Sequence, residues 1–266
     1  MVVFERQIAR LVRYRKVFFP SGEQLAGLVR NLRTFDVLRV FSSPTVFSNG
    51  IRPISENVLR TIFVDLCKGQ EAIYAGMHTN CRYKVRRAEK MSDRIDIVMN
   101  TEAARSDFLA LYKDFARSKG QIPVLKPQRF SEYLPHADVF MLYFEGQPTC
   151  GRLVLRDEES RSAMMLYSGT RRLDEGADTI TVGLLNRYLY WHEMKTYQAA
   201  GMKKYDFGGA GTMNPQLTQF KLSFGGDFLT YHYCVYTGTA RIAWGLAHSL
   251  YTRWTGEASK PLKAQF

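Results

Sequence analysis

Cysteine and histidine are scarce: four and five in 266 residues. Neither type clusters. Cys67, Cys81, Cys150 and Cys234 contain no C-x-x-C pair, which excludes a disulfide framework and a dithiol redox motif and leaves reduced core residues. No His/Cys/Asp grouping has metal-ligand spacing. His192 follows Trp191 and reads as a packed or surface residue. The chain has no G-x-S-x-G elbow and no P-loop string. No apolar run approaches the ~20 residues that span a bilayer. The start, Met1-Val2-Val3-Phe4-Glu5-Arg6, meets an arginine before any apolar signal core. A cytoplasmic protein is the expectation.

Acids are also in short supply. Asp and Glu number 25 against 37 Lys and Arg, for a formal charge of +12. Such a balance attracts polyanions: nucleic acid, anionic lipid or phosphorylated small molecules. The excess is uneven. Residues 1–40 hold eight cations against three anions, and Cys81–Lys90 holds five against one. Arg82, Arg86 and Lys90 recur at i, i+4, i+8 and share a helix face, while Val85 and Ala88 face inward. That face is either solvated or a grip for phosphate, which arginine forks match. The chain is 45% hydrophobic, enough for a substantial core in one large domain or two small ones.

Periodicity predicts mixed α and β structure. Residues 8–19 read as strand or helix. Ser21 caps a helix over 23–33. Strands are expected at 35–41 and 58–66, a helix from about 70 to 90, and a strand at 94–99. Thr101 opens a helix that ends near Gly120. A proline-punctuated connection, 121–136, carries a short helix around Phe130. An antiparallel meander comes next, with strands 139–144, 149–155 and 162–168. A long helix over 179–200 stops at Gly201. Strand 203–207, helical segment 215–224, strand 228–235 and an amphipathic basic helix over 239–254 complete the chain.

Two glycine pairs punctuate the last third. Lys204-Tyr205-Asp206-Phe207-Gly208-Gly209 ends a strand, and Phe220-Lys221-Leu222-Ser223-Phe224-Gly225-Gly226 closes a short helix. Glycine admits unusual backbone angles and lets a ligand approach the main chain. The alternative is a pair of strand-ending turns beside a solvated lysine. Asp206 can orient an acceptor amine or take its proton, or cap the turn after it.

With Arg82-Tyr83-Lys84-Val85-Arg86-Arg87-Ala88-Glu89-Lys90, these strings resemble the Fem-type acyltransferases of the GNAT superfamily. Their motifs run R-x-x-[IV]-R-[RK]-A-x-K, then [YF]-D-F-G-G, then F-K-x-x-F-G. The likeness covers about 58–235. It implies an α/β (α+β) fold: a GNAT-like mixed sheet flanked by helices. Three divisions are expected: a truncated N-terminal lobe over 1–100 with the basic helix 70–90, a GNAT-like domain over 101–238, and a basic helix and tail over 239–266.

The resemblance also implies site residues. Lys221 would steady the reacting acyl group or a substrate phosphate, with Asp206 beside it as the second catalytic candidate. Arg82, Arg86, Lys90, Gly208, Gly209 and Phe220 would bind substrate. In GNAT enzymes main-chain amides at the start of the long helix cradle the coenzyme A pyrophosphate. The matching stretch is Thr170–Asp178, so Arg171, Arg172, Gly176 and Ala177 are the co-substrate candidates, although Asp174, Glu175 and Asp178 put anions there. The implied reaction is N-acyl transfer from acyl-CoA or an acyl carrier protein thioester, with no tightly bound cofactor. The acceptor would be an amine on a phosphorylated, nucleotide-linked or lipid-linked small molecule, an amino sugar or amino acid of cell-envelope or polysaccharide synthesis. One alternative is transfer from aminoacyl-tRNA. Another is a non-catalytic basic protein on nucleic acid or the anionic inner membrane face.

Overall fold

The computed structural model describes residues 1–8, 10–47, 51–120, 122–209 and 215–239. The chain divides into two compact units, Met1–Thr61 with Leu229–Phe266, and Ile62–Phe228.

In the first unit, β1 (Val2–Ile8) and β2 (Val12–Phe18) form a hairpin, resolving the strand-or-helix ambiguity over 8–19 in favour of strand. α1 (Gly22–Arg30) begins at a reciprocal cap: Gln24 N donates to Ser21 Oγ at 3.2 Å and Ser21 N to Gln24 Oε1 at 2.9 Å. It buries Leu25 and Val29 and leads into β3 (Val37–Ser43), parallel to β2. A parallel pair needs such a crossover. β4 (Ser55–Asp65) ends the N-terminal stretch.

The second unit continues with α2 (Gln70–Gly76) and α3 (Thr79–Glu89). Then come β5 (Ile95–Met99), α4 (Glu102–Lys119) and α5 (Pro127–Tyr133). β6 (Ala137–Phe144), β7 (Gln147–Asp157) and β8 (Ser162–Thr170) are the meander. α6 (Thr179–Ala199), β9 (Lys204–Gly209) and α7 (Pro215–Leu222) complete it. β10 (Asp227–Thr237) returns antiparallel to β3 in the first unit. In the second unit the strand order is β9-β8-β7-β6-β5. β5 to β8 pair antiparallel, and β9 joins β8 in parallel after the α6 crossover. β6 and β7 are buried along most of their length, as central strands covered on both faces must be.

Two expectations change. The helix expected over 70–90 is two helices, broken at Met77-His78, where both residues are extended (ψ 146° and 142°). The division expected at residue 100 falls at residue 61. Cys81 and Val85 of α3 pack into one core with Leu185 and Leu189 of α6, and β5 pairs with β6, so 62–100 belongs with the meander and α6. The helix expected over 239–254 lies, from residue 240 on, outside the described residues. Among the described residues no helix is long and apolar enough to cross a membrane.

The core of the second unit holds charge as well as aromatic rings. Arg152 of β7 and Glu193 of α6 are both fully buried and paired, Nη1 to Oε1 at 2.6 Å. Arg152 also donates from Nη2 to the Asn186 carbonyl oxygen at 2.9 Å, and its guanidinium lies 3.4 Å from the Tyr190 ring centroid. Tyr205 donates its hydroxyl to Glu193. Burial and the Glu193 charge together leave the Tyr205 phenol well above its usual range.

Candidate active site

The last residues of β9 turn because of Asp206. Its carboxylate accepts the Gly208 amide at 2.7 Å, and Gly208 takes φ +71°. A Cβ there would meet the Met165 carbonyl oxygen at 3.1 Å. Of the two roles open to Asp206, this hydrogen bond is the turn cap.

Lys221 is no surface lysine. It is 2% exposed, and Nζ donates to the carbonyl oxygens of Gly208 at 3.0 Å and Gly209 at 2.7 Å. Burial lowers its pKa to about 8, against the pull of the Asp206 charge. The ammonium is therefore largely retained at neutral pH. An ammonium has three donors, and the strand end engages two. The strings around Asp206 and Lys221 are thus two halves of one arrangement, a charged side chain of α7 bound to the main chain of β9.

The second glycine pair serves close backbone packing. Gly225 (φ +78°) lies against Gly76, and a Cβ on Gly226 would stand 2.7 Å from the Phe63 carbonyl oxygen. His78 N donates to the Ser223 carbonyl at 2.9 Å, joining the start of α3 to the end of α7.

Arg82 belongs to the same junction. Its Nη1 donates to the carbonyl oxygens of Ala75 and Met77, each at 2.6 Å, so it caps the C-terminal end of α2. Arg86 and Lys90 are exposed on the same helix. Phe220 stands at the edge of an aromatic cluster, 5.7 Å from Tyr190 and 5.5 Å from Phe224, with the Arg187 guanidinium 4.6 Å above its ring.

The expected pyrophosphate loop has a different use. Asp178 caps α6: its Oδ1 accepts the amides of Ile180 at 3.0 Å and Thr181 at 3.1 Å, and its Oδ2 the Thr181 hydroxyl at 2.6 Å. Those hydrogen bonds hold the Asp178 carboxyl below its ordinary pKa. Arg171 pairs with Asp174 at 2.7 Å, and the Ala177 amide donates to the Asp174 carbonyl. Gly176 takes φ +73° with open space around it. Amides that would hold a phosphate are bonded within the chain, and a carboxylate stands where the anion would lie. This loop does not fit a pyrophosphate. Arg172 is exposed, and its charge acts on Arg187 of α6.

Sequence reasoning missed Arg152, Glu193 and Arg187. A signal was present for Arg152, an arginine inside the run Thr149–Leu155, whose neighbours otherwise read as a buried strand.

The sequence model of the acetyltransferase (GNAT) domain family matches residues 75–222, more than half of the chain. No curated protein matches the sequence. Among solved structures, FemX superposes with a TM-score of 0.66 at 11% identity, covering 92% of this chain and 86% of its own. The C-terminal DUF2156 domain of a putative lysylphosphatidylglycerol synthetase from Agrobacterium fabrum gives 0.58 at 14% identity, with 94% and 85% covered. L-PGS from Bacillus licheniformis gives 0.52 at 10% identity, with 96% and 86% covered. At these identities the likeness is one of fold. The mixed sheet with its meander and parallel β9, and the strings around Arg82, Asp206 and Lys221 within or beside the matched span, agree with the family match: the chain belongs to the GNAT acetyltransferase domain family and is an acyltransferase with a Fem-like fold.

Proposed function

We propose that the chain transfers an acyl group from coenzyme A thioester to the amine of a small acceptor used in cell-envelope synthesis. The observation that carries this reading is the buried Lys221 ammonium, anchored on Gly208 and Gly209 with one N–H unengaged by them. In the attack of a neutral amine on an activated carbonyl, negative charge grows on the carbonyl oxygen. A fixed cationic donor in a dry site stabilises that charge by a few kcal/mol, about 2.7–4 where single oxyanion donors have been removed elsewhere. The chain needs no covalent nucleophile for this, because positioning and such a donor supply the main effects. Asp206 acts as a positioning residue, holding the turn whose carbonyls hold Lys221. The envelope assignment draws on the FemX and lysylphosphatidylglycerol synthetase neighbours.

A second reading replaces the thioester with an aminoacyl-tRNA ester. The Asp178 cap favours it, since the amides at the start of α6 are bonded within the chain.

Thermal shifts with acetyl-CoA and with charged tRNA, run side by side, test both. A ligand at 100 times its Kd adds roughly 2.7 kcal/mol to stability. A shift with acetyl-CoA, together with acetylation of an amino-sugar panel, supports the first reading. A shift with charged tRNA alone selects the second, and no shift with either removes both.

A further inference from the structure

Three cations converge on one side of the second unit without an acid among them. Lys84 comes from α3, Arg187 from the middle of α6, and Arg172 from the 3-10 turn Arg171–Leu173 that precedes α6. Both α3 and that turn pack on α6. Arg187 is held in place. Its guanidinium stacks over Phe220 at 4.6 Å, Nη1 donates to the Gly183 carbonyl at 3.2 Å, and the Cys81 thiol contacts it. Its Nε is buried with no hydrogen-bond partner. The three positive charges oppose one another. Burial first, then Arg187 and Arg172, lowers the Lys84 pKa, and burial and Arg172 act likewise on Arg187. Among the described residues none of the three enters a salt bridge. Like charges partly withdrawn from water destabilise the fold unless an anion joins them.

The neighbouring helix start offers no such place, because Asp178 occupies its amides. An anion attracted to this side therefore meets side chains, not a helix end. Two guanidinium forks and one ammonium suit a group with several oxygens spread over two centres better than a single carboxylate. The location matters too. Phe220, under Arg187, immediately precedes Lys221, so one turn of α7 touches both the cation cluster and the anchored ammonium.

We propose that Lys84, Arg172 and Arg187 bind the diphosphate of a nucleotide-containing co-substrate, with the Phe220 ring supporting Arg187 from below. The assignment to a co-substrate rests on the acyltransferase reading; the binding of diphosphate does not. Two sources share this chemistry, the coenzyme of the acyl donor and a nucleoside diphosphate carried by the acceptor.

The test is isothermal titration of the full chain with inorganic pyrophosphate, coenzyme A and uridine diphosphate at fixed ionic strength, with sulfate as control. Pyrophosphate is expected to saturate at one site, more weakly as salt rises. Lys84→Ala, at a half-buried position, and Arg172→Ala, at an exposed one, are each expected to lose at least tenfold in pyrophosphate affinity, while Arg117→Ala on α4 keeps it. Absence of saturable binding, binding matched by sulfate, or full affinity in both variants overturns the site. Coenzyme A or uridine diphosphate binding at least tenfold tighter than pyrophosphate, and losing affinity in the same variants, identifies the source. If neither exceeds pyrophosphate, the co-substrate assignment is overturned. None of these readouts involves acyl transfer, so the site and the transferase reading fail separately.

Discussion

Gly225 approaches Gly76 so closely that a Cβ on it would lie 2.6 Å from the Gly76 carbonyl oxygen. The contact joins the end of the F-K-x-x-F-G string to the C-terminal end of α2, which Arg82 caps from the other side. Gly225→Ala meets backbone on one side and a left-handed φ on the other, and neither yields as a flexible side chain does. A loss of more than about 2 kcal/mol is expected, against about 1 kcal/mol for Gly176→Ala, which has the same sign of φ but open space. Urea denaturation of the two variants, compared at equal m-value, measures the difference. Equal losses would show that φ alone matters at residue 225.

Lys221→Met separates chemistry from packing less cleanly than a cleft lysine would. The side chain is 2% exposed and holds two carbonyls, so the variant leaves both acceptors buried and should lose about 1–3 kcal/mol of stability. Turnover should fall by about 10²–10³ in single-turnover assays of the folded variant. Near wild-type rates would leave Lys221 as an anchor of the strand end only.

The two roles of Lys221 move oppositely with pH. Its folded pKa is about 8 and its ordinary value 10.5. Between these values the unfolded chain holds the proton that the folded chain has released, so the contribution of this group to stability rises with pH across that window. Acyl transfer needs the ammonium and should fall through about pH 8, by about tenfold per unit well above it. Paired pH series of urea midpoints and single-turnover rates check this. In Lys221→Arg, which stays charged, the loss of rate above pH 8 should disappear.

Much of the second unit was legible in sequence. α4 announces itself by Thr101, its apolar stripe and Gly120, and the meander by its polar turns. Those signals are local, and so are the strings around Asp206 and Lys221. The break at Met77-His78 was not legible, because nothing in Gln70–Lys90 opposes a continuous helix. The break is tertiary, made by the Gly225 backbone against Gly76 and by Arg82 turning back on two carbonyls. The depth of Lys221 was hidden for a similar reason. A lysine between Phe220 and Leu222 reads as the polar face of a short helix until the carbonyls of β9 are placed against it. The division at residue 61 depends on β10 returning to β3, a pairing of residues about 190 apart that no local pattern encodes.

The Asp178 cap separates the start of α6 from the cation cluster by experiment. Asp178→Ala frees the amides of Ile180 and Thr181 and removes a carboxylate from a helix N-terminus. Loss of an N-cap of this kind is expected to lower stability by about 1 kcal/mol. If α6 could cradle a phosphate once relieved of its own anion, the variant would gain affinity for pyrophosphate independently of Lys84.

The buried pair Arg152 and Glu193 gives the largest expected loss. Both side chains are fully buried, and Glu193 also accepts from Tyr205. Glu193→Gln keeps the size but leaves the Arg152 guanidinium a buried charge without its counter-ion, apart from Asn186 and the Tyr190 ring. Breaking one side of such a pair typically loses about 3–5 kcal/mol, roughly a third to a half of a whole domain's stability. Removing both charges, as Arg152→Met with Glu193→Leu, should recover most of it, because each ion's desolvation penalty leaves with it. Guanidinium denaturation of both single variants and the double closes the cycle. A coupling energy near zero would mean that each charge is stabilised by its other partners, Asn186 and Tyr205, and not by the pair. A large coupling with restored stability in the double variant, but lost transfer activity, would identify the pair as holding α6, and with it the Tyr190 ring under Phe220, in the position that the α7 lysine requires.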